Sequence, residues 1–329
     1  MGTVTTSAHD LAIEDLEGYR RQLTGYCYRM LGSGFDAEDA VQETMVRAWR
    51  GASSFEGRSS LQSWLFRIAT NVCLDMLRSR QRRASPMQMG PSCPPVEASL
   101  ANVLVEGSWV SPIADERVLP PEADPADLVT ERETIKLAFV AALQLLPARQ
   151  RAALILCEVL RWQAAEVAEL LGSTVPAINS ALQRARATLA AADLGNRHPA
   201  TADAGQKELL ASYVDAFERF DIDRLVRLLH DDAIQTMPPY AMWLSGAPDI
   251  HQFLKVGPGS HCRGSKLVPV AANGSPAFGH YNADPAGGHT PWAVMVLEVS
   301  GDRVAEINSF LDAEKLFPSF GLPLHLPAQ

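Results

Sequence analysis

Eight prolines fall between residues 86 and 125 (Pro86, Pro91, Pro94, Pro95, Pro112, Pro120, Pro121 and Pro125). No ordinary helix or central strand survives that spacing, because each proline removes a backbone donor and fixes φ. The chain is thereby cut in two. Residues 85–130 read as an acidic linker, in which 103–110 is apolar enough to pack. On either side the sequence reads as helix: 14–84, broken by a Gly/Ser-rich stretch at 51–60, and 131–193, rich in Ala and Leu. A second, short linker covers 193–205. Beyond it the pattern changes to two helical stretches (206–220 and 223–230) and short apolar runs at 233–237, 266–271 and 277–281. Trp292 to Val299 and Arg303 to Leu311 then flank Ser300-Gly-Asp302, as a hairpin would. Helices followed by antiparallel strands predict an α+β domain over 206–325. A length of 329 residues fits this multidomain division.

The net charge of −9 is unevenly spread. Residues 85–131 hold one basic and eight acidic side chains, and 198–329 hold nine and fifteen. By contrast, 1–84 hold eleven basic and ten acidic, and 132–197 hold eight and five. An acidic total does not exclude a nucleic-acid partner, because local patches decide that. No run of about 18 apolar residues and no leader-like N-terminus is present, which predicts a cytoplasmic protein with no membrane span. Five separated cysteines without a CxxC pair argue against a disulfide framework or a cysteine-rich zinc site.

Within the first helical block, Val41, Met45, Ala48 and Trp49 share one face of a helix, and Glu38, Asp39, Gln42 and Glu43 the other. The next helix has a core stripe of Leu61, Leu65, Ile68, Val72 and Met76. Its polar stripe is Arg67, Asn71, Asp75 and Arg78, flanked by Trp64. Arg78, Arg80, Arg82 and Arg83 crowd its end, more than helix capping requires, and suit phosphate. An aromatic and an amide beside such a patch suit an unpaired base.

Three stretches, Tyr28-Arg-Met-Leu-Gly32, the run from Asp36 to Trp49, and Trp64-Leu-Phe-Arg-Ile-Ala-Thr-Asn71, resemble domain 2 of the extracytoplasmic-function sigma factors. These are promoter-specificity subunits of bacterial RNA polymerase. The resemblance implies two partners, promoter DNA and the polymerase core with its β′ and β subunits. It implies docking on a β′ coiled coil through Asp36, Asp39, Gln42, Glu43 and Arg47. It also implies that the loop from Phe55 to Ser60, with Trp64, Arg67, Asn71, Arg78 and Arg80, melts and reads the −10 element.

In the second block, Leu146-Pro opens a helix with proline in its first turn. A short amphipathic helix over 162–171 ends at Gly172. Ser173 or Thr174 then caps a helix that buries Ile178, Leu182, Ala185 and Leu189 and turns Ser180, Gln183 and Arg184 outward. This is a helix-turn-helix pattern. Leu146-Pro-Ala-Arg-Gln-Arg151 and Gln183-Arg-Ala-Arg-Ala-Thr-Leu189 resemble sigma domain 4. That implies −35 contacts by Thr174, Asn179, Ser180, Gln183, Arg184 and Arg186. Many relatives are more basic at positions 179 and 181.

Leu209-Leu-Ala-Ser-Tyr-Val-Asp-Ala-Phe217, with the segment from Asp223 to Met237, resembles the SnoaL-like fold, an α+β cone-shaped barrel. Met237-Pro-Pro-Tyr-Ala-Met-Trp-Leu244 resembles long sigma factors that carry this extension. The expectation is a regulatory domain without catalytic residues, cofactor or metal. Tyr240, Trp243, His251, His280 and Trp292 are the candidates to line a cavity for a small apolar ligand. The competing expectation is a SnoaL-like isomerase or hydrolase fused to DNA-binding helices. For that role Asp215, Asp232 and Asp284 are available, but spacing selects none of them.

Overall fold

The computed structural model describes residues 13–55, 57, 59–78, 82–121, 124–192 and 203–328. It divides into two compact units: residues 1–83 with 116–194, and residues 84–115 with 195–329.

The first unit is helical. It begins with α1 (Ile13–Glu17) and α2 (Arg20–Leu31). Helix α2 stops at Gly32, where φ is +70° and a Cβ would stand 3.1 Å from the Gln144 side chain. Left-handed backbone and lack of space both require glycine there. Ser33 then caps α3 (Gly34–Gly51), its side chain accepting from the Asp36 backbone N–H at 3.3 Å. Helix α4 (Leu61–Arg78) buries Leu65, Phe66, Ala69 and Val72 against these helices. Phe66 meets Tyr26 edge to face at 5.3 Å, and the buried Tyr26 hydroxyl is bonded to Thr70 at 2.7 Å. A short α5 (Pro86–Met89) belongs to the second unit. The helical unit resumes with α6 (Pro125–Ile135), α7 (Leu137–Leu143) and α8 (Ala148–Leu154), the last running into a π turn over Ile155–Val159. It ends with α9 (Ala164–Leu170) and α10 (Val175–Ala191).

The two helical blocks are joined at the C-terminus of α2, whose last carbonyls lack partners within the helix. Gln144 Nε2 donates to the Arg29 carbonyl at 3.3 Å, and Arg83 Nη1 to that of Leu31 at 2.7 Å. The Arg151 guanidinium donates to the carbonyl of Met30 between them. Arg29 itself is 2% exposed; it donates to Thr134 and pairs with Glu131 at 2.8 Å. Burial holds its pKa below the usual arginine value, partly offset by Glu131, and pulls that of Arg151 down to about 10.

The second unit carries a six-stranded sheet in the order β2-β1-β6-β5-β4-β3. Its strands are β1 (Leu229–Thr236), β2 (Trp243–Ser245), β3 (Lys266–Ala272), β4 (Ser275–Ala283), β5 (His289–Ser300) and β6 (Arg303–Phe310). All neighbours are antiparallel except β1 and β6. The sheet is accompanied by α11 (Asp203–Glu218), α12 (Ile222–Arg227), α13 (Ala247–Lys255) and α14 (Ala313–Ser319). Tyr213, Phe217, Leu225, Ile250 and Phe253 from the helices and Phe278, Met295 and Ile307 from the sheet share one core. Helices followed by a mixed, mainly antiparallel sheet make this the α+β domain that the sequence pattern predicts, with the cone-like form that the SnoaL-like resemblance implies.

The proline-rich segment divides between the units. Residues 84–115 are bonded to the C-terminal sheet, whereas the helical unit takes up the chain again at Glu116, where Arg117 pairs with Glu38. The Cys93 N–H donates to the Trp243 carbonyl, and Trp243 Nε1 to the Gly90 carbonyl, both at 2.9 Å. Leu104 N–H donates to the Pro239 carbonyl at 2.7 Å, and Ala241 N–H to that of Asn102 at 2.9 Å. Ile113 N–H donates to Asn273 Oδ1 at 3.0 Å. Proline prevents this segment from forming a ladder of its own, and several of its donors and acceptors are satisfied instead on the β1–β2 connection, short β2 and the β3–β4 turn.

Candidate nucleic-acid interface and C-terminal cavity

Helix α3 separates its polar residues into two groups. Asp39, Gln42, Glu43 and Arg47 are exposed, and Arg47 bonds Glu43 at 2.7 Å. Asp36 is not part of that surface. It is 8% exposed and pairs with Arg83 at 2.6 Å, which corrects its place among the docking residues. Trp49 is corrected in the opposite sense. It is 64% exposed and joins Val46, at 40%, on the side of Asp39, Gln42 and Glu43. An exposed tryptophan flanked by charged groups is a feature of binding surfaces, and the helical stripe alone placed it in the core.

On α4, Trp64 stacks at a tilt on Phe55 of the preceding loop, with ring centres 5.1 Å apart. Asn71 and Arg78 are exposed on the same helix, and Arg78 bonds Asp75 at 3.0 Å. Arg67 is held by Glu169 of α9 at 3.2 Å. Arg80 lies outside the described residues.

The turn between α9 and α10 passes through Gly172, with φ of +57°. Thr174 caps α10 by accepting from the Ala177 N–H at 3.4 Å, and Pro176 stands in its first turn. Ile178, Leu182 and Ala185 are buried, and Asn179, Ser180, Gln183 and Arg184 are exposed. Arg186 is exposed as well and is ion-paired with Glu158 at the surface.

In the second unit a cavity of about 30 Å³ lies between the sheet and the helices α11 and α13. His280 and Trp292 are among the residues that line it. Tyr240, Trp243 and His251 do not. Trp243 is turned to the Gly90 carbonyl, Tyr240 sits in a bridge with Val103, and His251 bonds Asp223 at 2.7 Å on the surface. Asp223 is held down to about 2 by Lys255 and by His251. Gln235 lines the cavity and is 5% exposed, a position that its polar sequence environment did not single out. Asp215, Asp232 and Asp284 are not among the lining residues. Among the described residues no group of His, Cys, Asp and Glu could hold a metal ion, and no helix is long and apolar enough to cross a membrane.

Three family descriptions match this arrangement: Sigma-70 region 2 over residues 16–83, Sigma-70 region 4 over 136–189, and SnoaL-like domain over 210–307. Paired helical regions of this kind, the second a helix-turn-helix, define a promoter-specific transcription initiation factor, here extended by a third domain. The ECF RNA polymerase sigma factor SigG of Mycobacterium tuberculosis (strain CDC 1551 / Oshkosh) is 46% identical over 315 residues, covering 93% of this chain and 82% of its own. The chain belongs to the ECF RNA polymerase sigma factors. SigJ of the same species (strain ATCC 25618 / H37Rv) is 28% identical over 69% of this chain and 64% of its own. The crystal structure of SigJ shares the fold, with a TM-score of 0.60 over 95% of this chain and all of that one, at 22% identity.

Proposed function

We propose that this sigma factor docks on the β′ subunit of core polymerase through Asp39, Gln42, Glu43 and Arg47, with Val46 and Trp49 completing the surface. Trp64, Arg67, Asn71 and Arg78 read the −10 element, and Thr174, Asn179, Ser180, Gln183 and Arg184 the −35 element. The observation that carries this reading is the outward face of α10: four polar side chains, one of them cationic, exposed behind a capped N-terminus while the opposite side is buried. That is how a recognition helix presents itself to a major groove. The regions involved are 14–84, 131–193 and, as a regulatory domain, 206–325. The C-terminal domain modulates activity by holding residues 84–115, because a segment bonded to that sheet is not free to run along polymerase. Its cavity serves as a ligand chamber.

Charge reversal tests the docking surface. Asp39→Lys with Glu43→Lys should weaken co-purification with core polymerase by at least about tenfold, since close charge pairs across an interface couple by ~1.5 kcal/mol or more. Retention of full affinity by a folded double variant would remove α3 as the docking helix.

A further inference from the structure

We propose that Asn273 is a self-modifying site: when residues 113–115 leave the C-terminal sheet, its side-chain amide is converted to aspartate or isoaspartate, and the segment is no longer taken back. The proposal rests on the reading above that this domain acts by holding residues 84–115.

Asn273 and Gly274 are the whole of the turn between β3 and β4, since Ala272 pairs with Ser275. Their φ angles are +57° and +68°. Those are the two left-handed positions of a type I′ hairpin turn, for which Asn-Gly is the favoured sequence. A turn tip belongs in solvent, yet Asn273 is 0% exposed. The proline-rich segment is bonded across it. Ile113 N–H donates to Asn273 Oδ1 at 3.0 Å, and Asn273 N–H donates to the Ile113 carbonyl at 3.1 Å. Ala114 forms a bridge with Ala272, and Gly274 N–H donates to Asp115 Oδ1 at 2.8 Å. These bonds clasp the last three residues of the segment, beyond which the chain enters the helical unit at Glu116.

Asn-Gly is also the pair most prone to lose ammonia, because glycine leaves its own nitrogen unshielded and its backbone free to turn. The Gly274 nitrogen attacks Cγ of Asn273. The N–Cγ bond forms, the Cγ–Nδ2 bond breaks, and the proton of the Gly274 nitrogen leaves with ammonia by way of solvent. Water then opens the imide at one of its two carbonyls, which gives aspartate or routes the main chain through the side chain as isoaspartate. Water is the one co-reactant. While the clasp is closed, Asn273 Oδ1 is bound by Ile113 and the Gly274 N–H by Asp115, and water is excluded. Ring closure needs the turn to swing until the Gly274 nitrogen faces Cγ, which those bonds oppose. Released, the turn is an exposed hairpin tip that opens locally at low cost.

Neither product fits the clasp. Isoaspartate lengthens the backbone inside a two-residue turn that sets the register of the hairpin. Aspartate places a carboxylate next to the amide that Asp115 accepts, in a position closed to water, where like charge and desolvation both count against it. One release thereby becomes permanent.

The test uses the full chain at neutral pH. Peptide mass spectrometry and labelling by an isoaspartate-specific methyltransferase follow residue 273, and hydrogen exchange at Leu104 and Ile113 follows the clasped segment. The parent chain should be modified slowly. Asp115→Ala and Ile113→Pro each remove one bond of the clasp and should speed modification by at least about tenfold. Asn273→Asp should expose Ile113 to exchange while the sheet stays protected. If Ile113→Pro disturbs the fold, Asp115→Ala carries the comparison alone. An Asp115→Ala chain modified no faster than the parent, or an Asn273→Asp chain that protects Ile113 as the parent does, would overturn the proposal and leave the holding of the segment intact. Unprotected exchange at both Leu104 and Ile113 in the parent would overturn the holding itself, and the proposal with it.

Discussion

Asp36 and Asp39 stand three residues apart on α3, and their surroundings give them opposite roles. Asp36 is buried against Arg83 at 2.6 Å, whereas Asp39 is exposed. Asp36→Asn should therefore cost about 3 kcal/mol or more, because it strands a buried guanidinium. Asp39→Asn should stay within about 0.5 kcal/mol; urea unfolding of the two variants measures the difference. His280 carries a pH signature. Its pKa is lowered to about 3 from 6.5 by burial, so between those values the unfolded chain takes up a proton that the folded ring refuses. Stability is then complete above about pH 6.5 and falls as pH drops, by about 1.4 kcal/mol per pH unit well inside the window. A folded His280→Phe variant should lose that slope, which denaturant titrations at pH 7 and pH 5 would show. At the DNA surface, Arg184→Ala should cost about 1–3 kcal/mol and relax selectivity at one position of the −35 element, if the guanidinium reads a base edge. A uniform loss across sequences, seen in binding to a panel of −35 variants, would reassign it to phosphate.

At the level of elements, amphipathic spacing made α3, α4 and α10 legible, since each has one side buried and the other bearing the polar stripe. Trp49 departed from that spacing because it stands in the last turns of α3, where the burial of Ala48 does not extend to its neighbour. The junction at the end of α2 was not legible at all. Arg151 and Gln144 act there on backbone carbonyls 121 and 115 residues away, and a carbonyl has no sequence signature. Burial is also atypical for arginine, so position alone gave no hint. Arg151→Met should keep most of the packing and lose the charged hydrogen bonds, costing about 1.5–3 kcal/mol. Thermal unfolding should report this at the transition of the helical unit. A variant as stable as the parent would mean that the capped carbonyls are satisfied equally well by water.

For the whole molecule, the division into a helical pair of regions and an α+β extension followed from proline spacing and from the change of periodicity near residue 205. The attachment of residues 84–115 to the C-terminal sheet did not follow, because it rests on backbone hydrogen bonds that proline-rich sequences form wherever an edge is offered. The cavity was legible in part. His280 and Trp292 belong to it, but aromatic content also pointed to Tyr240 and Trp243, which the linker engages instead. Gln235 was hidden because alternation on β1 shows which residues share a face without showing that the face encloses space. The proposed function requires that α4 and α10 read two separate promoter elements for core polymerase. In vitro transcription from a randomised promoter library, with core polymerase and the full chain, tests it directly. Transcripts should depend on this chain and come from promoters enriched in two sequence blocks, of which Arg184→Ala alters only the upstream one. No chain-dependent transcripts, or transcripts without sequence enrichment, would contradict it.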